Sequence, residues 1–299
     1  MQAFASACLL ADWPSPVVHP GDLDWWTRDA VPGGIQLGER IRLWFAGEAD
    51  ASDLVGWGWI DGHGALVVLI RPGLRRSSLI GQIVDWAGPQ ATSLDPLPDG
   101  PPKLLQVVLP ESQTDAIDTL ERLGFDADQD ADHDDALVAL TRPFESWQIE
   151  PPALEPGFTI RRLGSADIAS RVACGRRAFP SSRLTEERYE VARRSTLYRP
   201  ALDHVVIAPD GSVAAFALGW LDPGSLVLEL EPVGVDPAWQ RRGLGRAICL
   251  ATIRAGIQLG ATRGLIDAEE NNPASIGLYG SLGYEITGRF RTFQRGTAG

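Results

Sequence analysis

Beyond residue 157 the apolar positions switch repeatedly between a spacing of two and a spacing of three to four, which predicts alternating strands and helices. Residues 158–162 read as a short strand, and 165–177 and 184–195 as helices. A hairpin is expected where 205–207 and 213–220 flank the turn Pro209-Asp210-Gly211. Residues 226–235 form a long apolar strand interrupted at Pro232. Residues 244–259 predict a helix about 24 Å long. Leu244, Ile248, Ala251 and Ala255 fall at helical spacing in it, and Gly260 is a natural stop. A strand at 264–268 follows. Asn272-Pro273 then opens a helix ending at Gly283, with a capping side chain and a proline in first position, and 284–293 supplies the last strands. The pattern is that of a mixed α/β domain.

The first half repeats part of this plan. A strand at 65–70 runs into Pro72, as the strand ending at Val235 runs into Pro237. Arg75-Arg76-Ser77-Ser78-Leu79-Ile80 then parallels Gln240-Arg241-Arg242-Gly243-Leu244-Gly245, and 111–125 parallels 270–284. The offsets, 165 and 159, differ by a longer Pro/Gly-rich loop expected at 88–102. Between the halves, residues 150–157 hold three prolines and cannot form helix or central strand. A boundary there divides the chain into 1–150 and 151–299.

Composition narrows the class. The 299 residues are 44% hydrophobic and 22% charged, which excludes disorder, collagen or coiled coil as whole-chain readings. No apolar run reaches the roughly 18 residues that span a bilayer. The N-terminus has no cationic region of the secretory kind. Cys8, Cys174 and Cys249 are scattered, and His19, His63, His133 and His204 have no ligand spacing, so no metal and a reduced, cytoplasmic setting are expected. Asp126 to Asp132 alternate in a calcium-loop rhythm but lack its glycine and glutamate. Residues 1–150 hold 24 acidic against 9 basic side chains, and 151–299 hold 15 against 18. The acidic half repels nucleic acid and anionic membrane, while the second half could take an anionic small molecule. Twenty-six arginines against the single Lys103 hint at a GC-rich, bacterial genome.

The most informative segment is 233–246, where a buried strand ends, a loop turns and a helix begins. The first N–H groups of a helix have no partner within it and carry the positive end of its dipole, so an anion belongs there. Gly243 and Gly245 let a phosphate approach the backbone, and Arg241, Arg242 and Arg246 add cationic donors. Gln240-Arg241-Arg242-Gly243-Leu244-Gly245 resembles the acetyl-CoA signature of the GNAT acyltransferase superfamily. The helix from Asn272-Pro273-Ala274 through Tyr279 to Leu282-Gly283-Tyr284 matches that family's second motif, in the right order and at the right separation. The resemblance covers about residues 158–295 strongly and 35–142 weakly, which implies two GNAT-like domains in tandem.

On that resemblance, acetyl-CoA is the acyl donor and no metal takes part. Val233, Gly234 and Val235 would pair with the pantetheine arm along a V-shaped opening between two parallel strands. Gln240, Arg241, Arg242, Gly243, Leu244, Gly245 and Arg246 would hold the pyrophosphate, and Asn272 would contact the arm or simply cap its helix. Acyl transfer to an amine needs a base for the amine and an acid for the thiolate. Glu229 and Glu231 share one strand face roughly 6.6 Å apart, and a carboxylate in an apolar strand is costly unless paired or functional. The family places a general base at the position of Glu229 and a thiolate-protonating tyrosine at that of Tyr279. Glu231 is an alternative base, a cation anchor or an ion-pair partner. Phe179, Tyr189 and Trp220, with Arg183, Glu186 and Arg193, fall where the family builds its acceptor pocket. In the first half Gly64, Ser78, Ile80 and Leu120 stand where the second has Glu229, Gly243, Gly245 and Tyr279, so that half should be non-catalytic. The expected activity is N-acetylation of a primary amine, a small molecule first, by a monomer or homodimer. A protein or peptide N-acetyltransferase and a non-catalytic acyl-CoA sensor are the other readings.

Overall fold

Strand positions 213–221 are apolar almost throughout because both faces of that strand are covered, and the sheet grows outward from it. The computed structural model describes residues 1–30, 36–47, 53–61, 65–76, 78–93, 104–128, 136–144 and 150–296. The first half comprises α1 (Gln2–Asp12), α2 (Pro20–Trp26), α3 (Leu37–Arg40), β1 (Ile41–Phe45), β2 (Leu54–Ile60), β3 (Ala65–Ile70), α4 (Leu79–Ser93), β4 (Leu104–Pro110), α5 (Thr114–Arg122), β5 (Asp126–Ala127) and β6 (Leu137–Pro143). The second comprises β7 (Thr159–Arg162), α6 (Ile168–Ala178), α7 (Glu186–Arg193), β8 (Asp203–Ile207), β9 (Val213–Leu221), β10 (Val227–Val235), α8 (Leu244–Gln258), β11 (Arg263–Glu269), α9 (Pro273–Ser281) and β12 (Glu285–Gly296). Among the described residues, no helix is long and apolar enough to cross a membrane.

One mixed sheet runs through both halves in the order β1-β2-β3-β4-β12-β6-β11-β10-β9-β8-β7, with β5 paired to β12. Each half contains one parallel pair that soon separates. β3 and β4 are in register only at Ala65–Gln106 and Leu66–Val107, and β10 and β11 only from Val227–Arg263 to Glu229–Leu265. This is the repeated plan read from the sequence. The last strands, however, have changed places. β6 of the first half lies antiparallel to β11, and β12 of the second lies against β4 while also pairing with β6.

One expectation changes. Part of the loop expected at 88–102 is helix, since α4 runs through Pro89 to Ser93. Pro89 has no N–H to give to the carbonyl four residues earlier, so the helix continues through it with a gap in its ladder. The remainder of that loop, Gly64, His63 and the second half of the acidic alternation, with Asp130 and Asp132, lie outside the described residues. In addition, α1 and α2, unmarked in the sequence reading, cross over to the second half. Gly21 is packed so closely on Trp220 that a Cβ there would collide with the indole, which fixes how near α2 approaches β9.

Candidate active site

The geometry of β10 follows from Pro232. Leu230 pairs with Gly219 and Val233 with Ala217, so Glu231 and Pro232 together oppose Leu218 in a bulge. Proline has no N–H to give to the ladder, which is why the strand yields there. On the other edge, pairing with β11 stops at Glu229–Leu265, and the two strands diverge. The Asp236 N–H donates to the Ala214 carbonyl. Alternation along an antiparallel ladder then turns the amides of Val233 and Val235 toward the opening, while Gly234, buried against the Phe216 ring, faces β9. A free strand edge is thus offered where the sequence expected one.

That edge leads to the start of α8. The Asp236 carboxylate accepts from the Ala238 N–H at 3.0 Å and pairs with Arg177, pinning the turn. Gly243 caps α8 at φ 71, a left-handed conformation that a side chain resists. Ala247 is the first residue of the helix to reach a carbonyl, that of Gly243, so the amides of Leu244, Gly245 and Arg246 precede the intrahelical ladder. Gln240, Arg241 and Arg242 are exposed around this end. Arg242 pairs with Glu155 at 2.8 Å and Arg246 with Glu150 at 3.1 Å. Both are half-exposed surface pairs of the kind worth under about 1 kcal/mol, which an incoming phosphate can replace. The donor set fits a pyrophosphate.

Glu229 is 1% exposed and sits on the face of β10 covered by α2. Its carboxyl, that of Glu231 and that of Asp22 place oxygens within 4.8 Å of one another, a grouping that needs cations or protons. Burial pushes Glu229 and Asp22 well above the usual carboxylate range, and Glu231 raises both further. Burial likewise raises Glu231, against the pull of Arg28. Asp267, water-exposed yet walled by protein, is pushed up to about 7 by loss of solvent and by Glu231. His19 stands behind, with Nδ1 at 3.2 Å from Glu229 Oε2.

Tyr279 faces the same opening from α9. It is 7% exposed, and burial, with Cys249, Tyr284 and Glu231 nearby, raises its phenol so that it stays protonated at neutral pH. Asn272 Oδ1 accepts from the Ser275 N–H at 3.1 Å, so its carbonyl caps α9, while the residue still lines the cleft. The cleft measures about 530 Å³ and is lined by Asp22, Glu231, Val233, Asn272, Tyr279 and Phe179, among others.

The structure does not place every expected residue there. Phe179, 43% exposed, and Glu231 line the cleft. Tyr189 and Trp220 are fully buried instead. The Tyr189 hydroxyl donates to Asp203 at 2.8 Å, and the Trp220 indole donates to the Glu231 carbonyl at 2.7 Å, so Trp220 supports the bulge from beneath. Cys249 is buried as packing. His204 is also buried, its Nδ1 3.1 Å from the Thr252 hydroxyl, and is held down to about 4 by burial. The sequence reading missed Asp22, His19 and Asp267. Asp267 carried a signal, being a carboxylate within an apolar strand. Asp22 and His19 carried none that tied them to this site.

In the first half, the matching position is closed. A cavity of only about 10 Å³ lies among Ile80, Leu120, Arg75 and Gln113. That is at the lower limit for a single water. Arg75 is neutralised by Asp12 at the end of α1.

Comparison with known proteins accords with this geometry. Residues 173–284 match the acetyltransferase (GNAT) family. The chain is 32% identical over 162 residues to a mycothiol acetyltransferase of Nocardiopsis dassonvillei, covering 48% of each protein, so the match spans about half the length of that relative. It is 24% identical over 277 residues to the mycothiol acetyltransferase of Saccharomonospora viridis, covering 85% of this chain and 83% of the relative. A GCN5-related N-acetyltransferase from Sphaerobacter thermophilus superposes with a TM-score of 0.67 at 19% identity, over 100% of this chain and 92% of the other. A tandem GNAT protein from the clavulanic acid biosynthesis pathway does so at 0.65 and 14%, over 100% and 94%. The fold is therefore that of tandem GNAT proteins. Across residues 173–284 the chain carries a domain of the GNAT acetyltransferase family.

Proposed function

We propose that the protein is an N-acetyltransferase that moves an acetyl group from acetyl-CoA to the primary amine of a small molecule by direct transfer. The observation that carries this reading is the parting of β10 and β11 at Glu229, with Tyr279 lining the same cleft. The relatives named as mycothiol acetyltransferases favour a small-molecule acceptor over a peptide.

In this reading, the amides of Val233 and Val235 hold the cofactor arm, with Gly234 between them and Asn272 across the cleft. The residues from Gln240 to Arg246 hold the pyrophosphate: the amides of Leu244 and Gly245, the opening at Gly243, and the guanidinium groups of Arg241, Arg242 and Arg246. The thioester supplies an activated acetyl carbon and a thiolate leaving group. The acceptor ammonium sheds one proton to water to become nucleophilic. The second proton, released as the carbon–nitrogen bond forms, goes to Glu229. A base whose pKa is raised by burial is better matched to that task than an ordinary carboxylate. As the carbon–sulfur bond breaks, Tyr279 gives its proton to the sulfur, a favourable direction for a phenol facing a nascent thiolate. Phe179 and Glu231 contact the acceptor. Residues 151–299 supply all these groups, and residues 1–150 act as a non-catalytic domain.

Thiol release from acetyl-CoA, followed over a panel of primary amines, tests the proposal. Release that depends on an amine and disappears in Tyr279→Phe combined with Glu229→Gln supports it. Acetyl-CoA binding without release for any amine points instead to a sensor.

A further inference from the structure

The cleft is shared by the two halves, and each brings different chemistry to it. By the offsets of the internal repeat, Leu66 stands where the second half has Glu231, and Val108 where it has Asp267. All four side chains line this one cleft. The same two strand positions therefore meet there twice, once as carboxyls and once as hydrocarbon. Val17, Trp26, Val67 and Leu137 join Leu66 and Val108 on the first half's side. Among the described residues, the polar side chains that residues 1–150 bring to the cleft are Asp22 and Asp61. Asp22 belongs to the carboxyl grouping with Glu229 and Glu231. Asp61 accepts from the Ala65 N–H at 2.9 Å and so closes the β2–β3 hairpin.

Two aromatic rings add an independent mark. Phe179 lines the cleft with much of its ring open to it, and its centroid lies 6.4 Å from that of Phe216. Trp26, half-buried, meets Trp59 edge to face at 5.4 Å. Rings held in this way offer apolar area at little further cost in conformational freedom. A sugar or polyol lying on the first half's wall would exchange water for hydrocarbon and leave its hydroxyls unpaired. A hydrocarbon body gains from the same contact.

Resting on the acetyltransferase reading above, we propose that the acceptor is a primary amine carried on an apolar body, and that the first half holds this body while the second acetylates the amine. The amine lies toward Glu231, Asp267 and Tyr279. The body lies across Trp26, Val67 and Val108, with Phe179 at its side. The half without chemistry of its own is then the half that selects the acceptor.

The test uses the full chain, with thiol release and calorimetry run side by side on 2-phenylethylamine, ethanolamine and glucosamine. 2-Phenylethylamine is expected to show a KM at least about tenfold below that of ethanolamine, the least that burying a ring of its size should give. Glucosamine should do no better than ethanolamine. Val67→Thr combined with Val108→Thr nearly keeps shape and strand preference while making the wall polar. It should bring the ratio of the two KM values close to one. It should leave kcat and the KM for acetyl-CoA unchanged, which a general loss of structure would not do. Leu259→Thr, at an exposed leucine outside the cleft, should leave the ratio as it is. A KM for either polar amine as low as that for 2-phenylethylamine, or a preference that survives the double variant, overturns the proposal and leaves the transferase reading standing. Binding of 2-phenylethylamine that the double variant loses, with no release from any amine, leaves the apolar site standing and overturns the transferase reading. Neither binding nor release overturns both.

Discussion

Glu229 and His19 belong to different halves of the chain, yet Glu229 Oε2 stands 3.2 Å from His19 Nδ1 with both side chains closed to solvent. The imidazole Nε2 lies 3.2 Å from the Val227 carbonyl, which can only accept, so the ring proton sits on Nε2. Nδ1 therefore presents a lone pair, occupied by the Gly21 N–H. An ionised Glu229 oxygen facing that lone pair is repelled, and a protonated one can donate to it. The first half thus helps to set the protonation of the proposed base.

From this follows a pH-dependent rate. Burial and Glu231 raise Glu229, so turnover should fall on the acid side at a pH above the ordinary carboxylate range. Glu229→Gln should lower kcat by about 10²–10⁴. The deficit should narrow as pH rises, because solvent hydroxide can then take the proton released as the carbon–nitrogen bond forms. A pH profile of kcat for both proteins checks this, and Glu231→Gln serves as the comparison. If Glu231 only anchors a cation, its loss raises the acceptor KM and largely spares kcat.

Tyr279→Phe should act on the other limb. The phenol is held protonated by burial, and its removal leaves the thiolate to find a proton from solvent. The loss in kcat should therefore persist or grow toward high pH, where solvent protons are scarce. Acetyl-CoA affinity, measured by calorimetry, should change little in this variant or in Glu229→Gln.

The turn into α8 gives a binding prediction. Gly243→Asp combined with Gly245→Asp would set two carboxylates at the helix end where the pyrophosphate is expected. It would also force a side chain onto φ 71. Acetyl-CoA affinity should fall by at least about 100-fold, or about 2.7 kcal/mol. Unchanged affinity would remove the cofactor from this loop.

The carboxyl grouping should also tilt stability with pH. Asp22, Glu229, Glu231 and Asp267 all have folded-state values raised above their unfolded ones, chiefly by burial. The folded state then holds more protons than the unfolded chain, and stability drops as pH climbs through that window, which for Asp267 runs from 3.8 to about 7. His19 and His204 are lowered by burial and act in the opposite sense, but only below about 6.5. Between pH 6.5 and 8 the raised carboxyls outnumber the one group of opposite sense, the Met1 amine that burial lowers from 8.0, so Tm should fall across that interval. Glu229→Gln should flatten the slope and raise Tm at pH 8, by about 2 °C for each kcal/mol of relieved repulsion. Thermal melts of the two proteins across this range would show it.

Much of this site was legible because its signals are local. Gly243 and Gly245 mark a turn, Pro232 marks a bulge, and Asn272-Pro273 mark a helix start, each through its own backbone. Glu229 and Glu231 stood out as charges in an apolar strand. Trp220 and Tyr189 were misplaced because an aromatic with a polar tip reads alike in a pocket and in a core, and only the partners Glu231 and Asp203 decide between them. The exchange of β6 and β12 and the reach of α2 were not legible. Strand order is a long-range property, and the near-continuous apolar run that opens Leu137–Pro143 carries no mark of the strand it will pair with.

That exchange has a consequence for inheritance. Cutting the gene near residue 150 would leave β11 without β6 and β12 without either neighbour, and would strip α2 from behind Glu229. A half with Ser78, Ile80 and Leu120 in place of the second half's glycines and tyrosine has little chemistry for selection to preserve. Its packing is another matter, since a mutation that loosens it also removes the neighbours on which the other half depends. Deletion is closed to this lineage, and so is rearrangement of the two copies as separate modules. On the proposed reading, a copy without chemistry and the copy that carries it must be lost together or kept together.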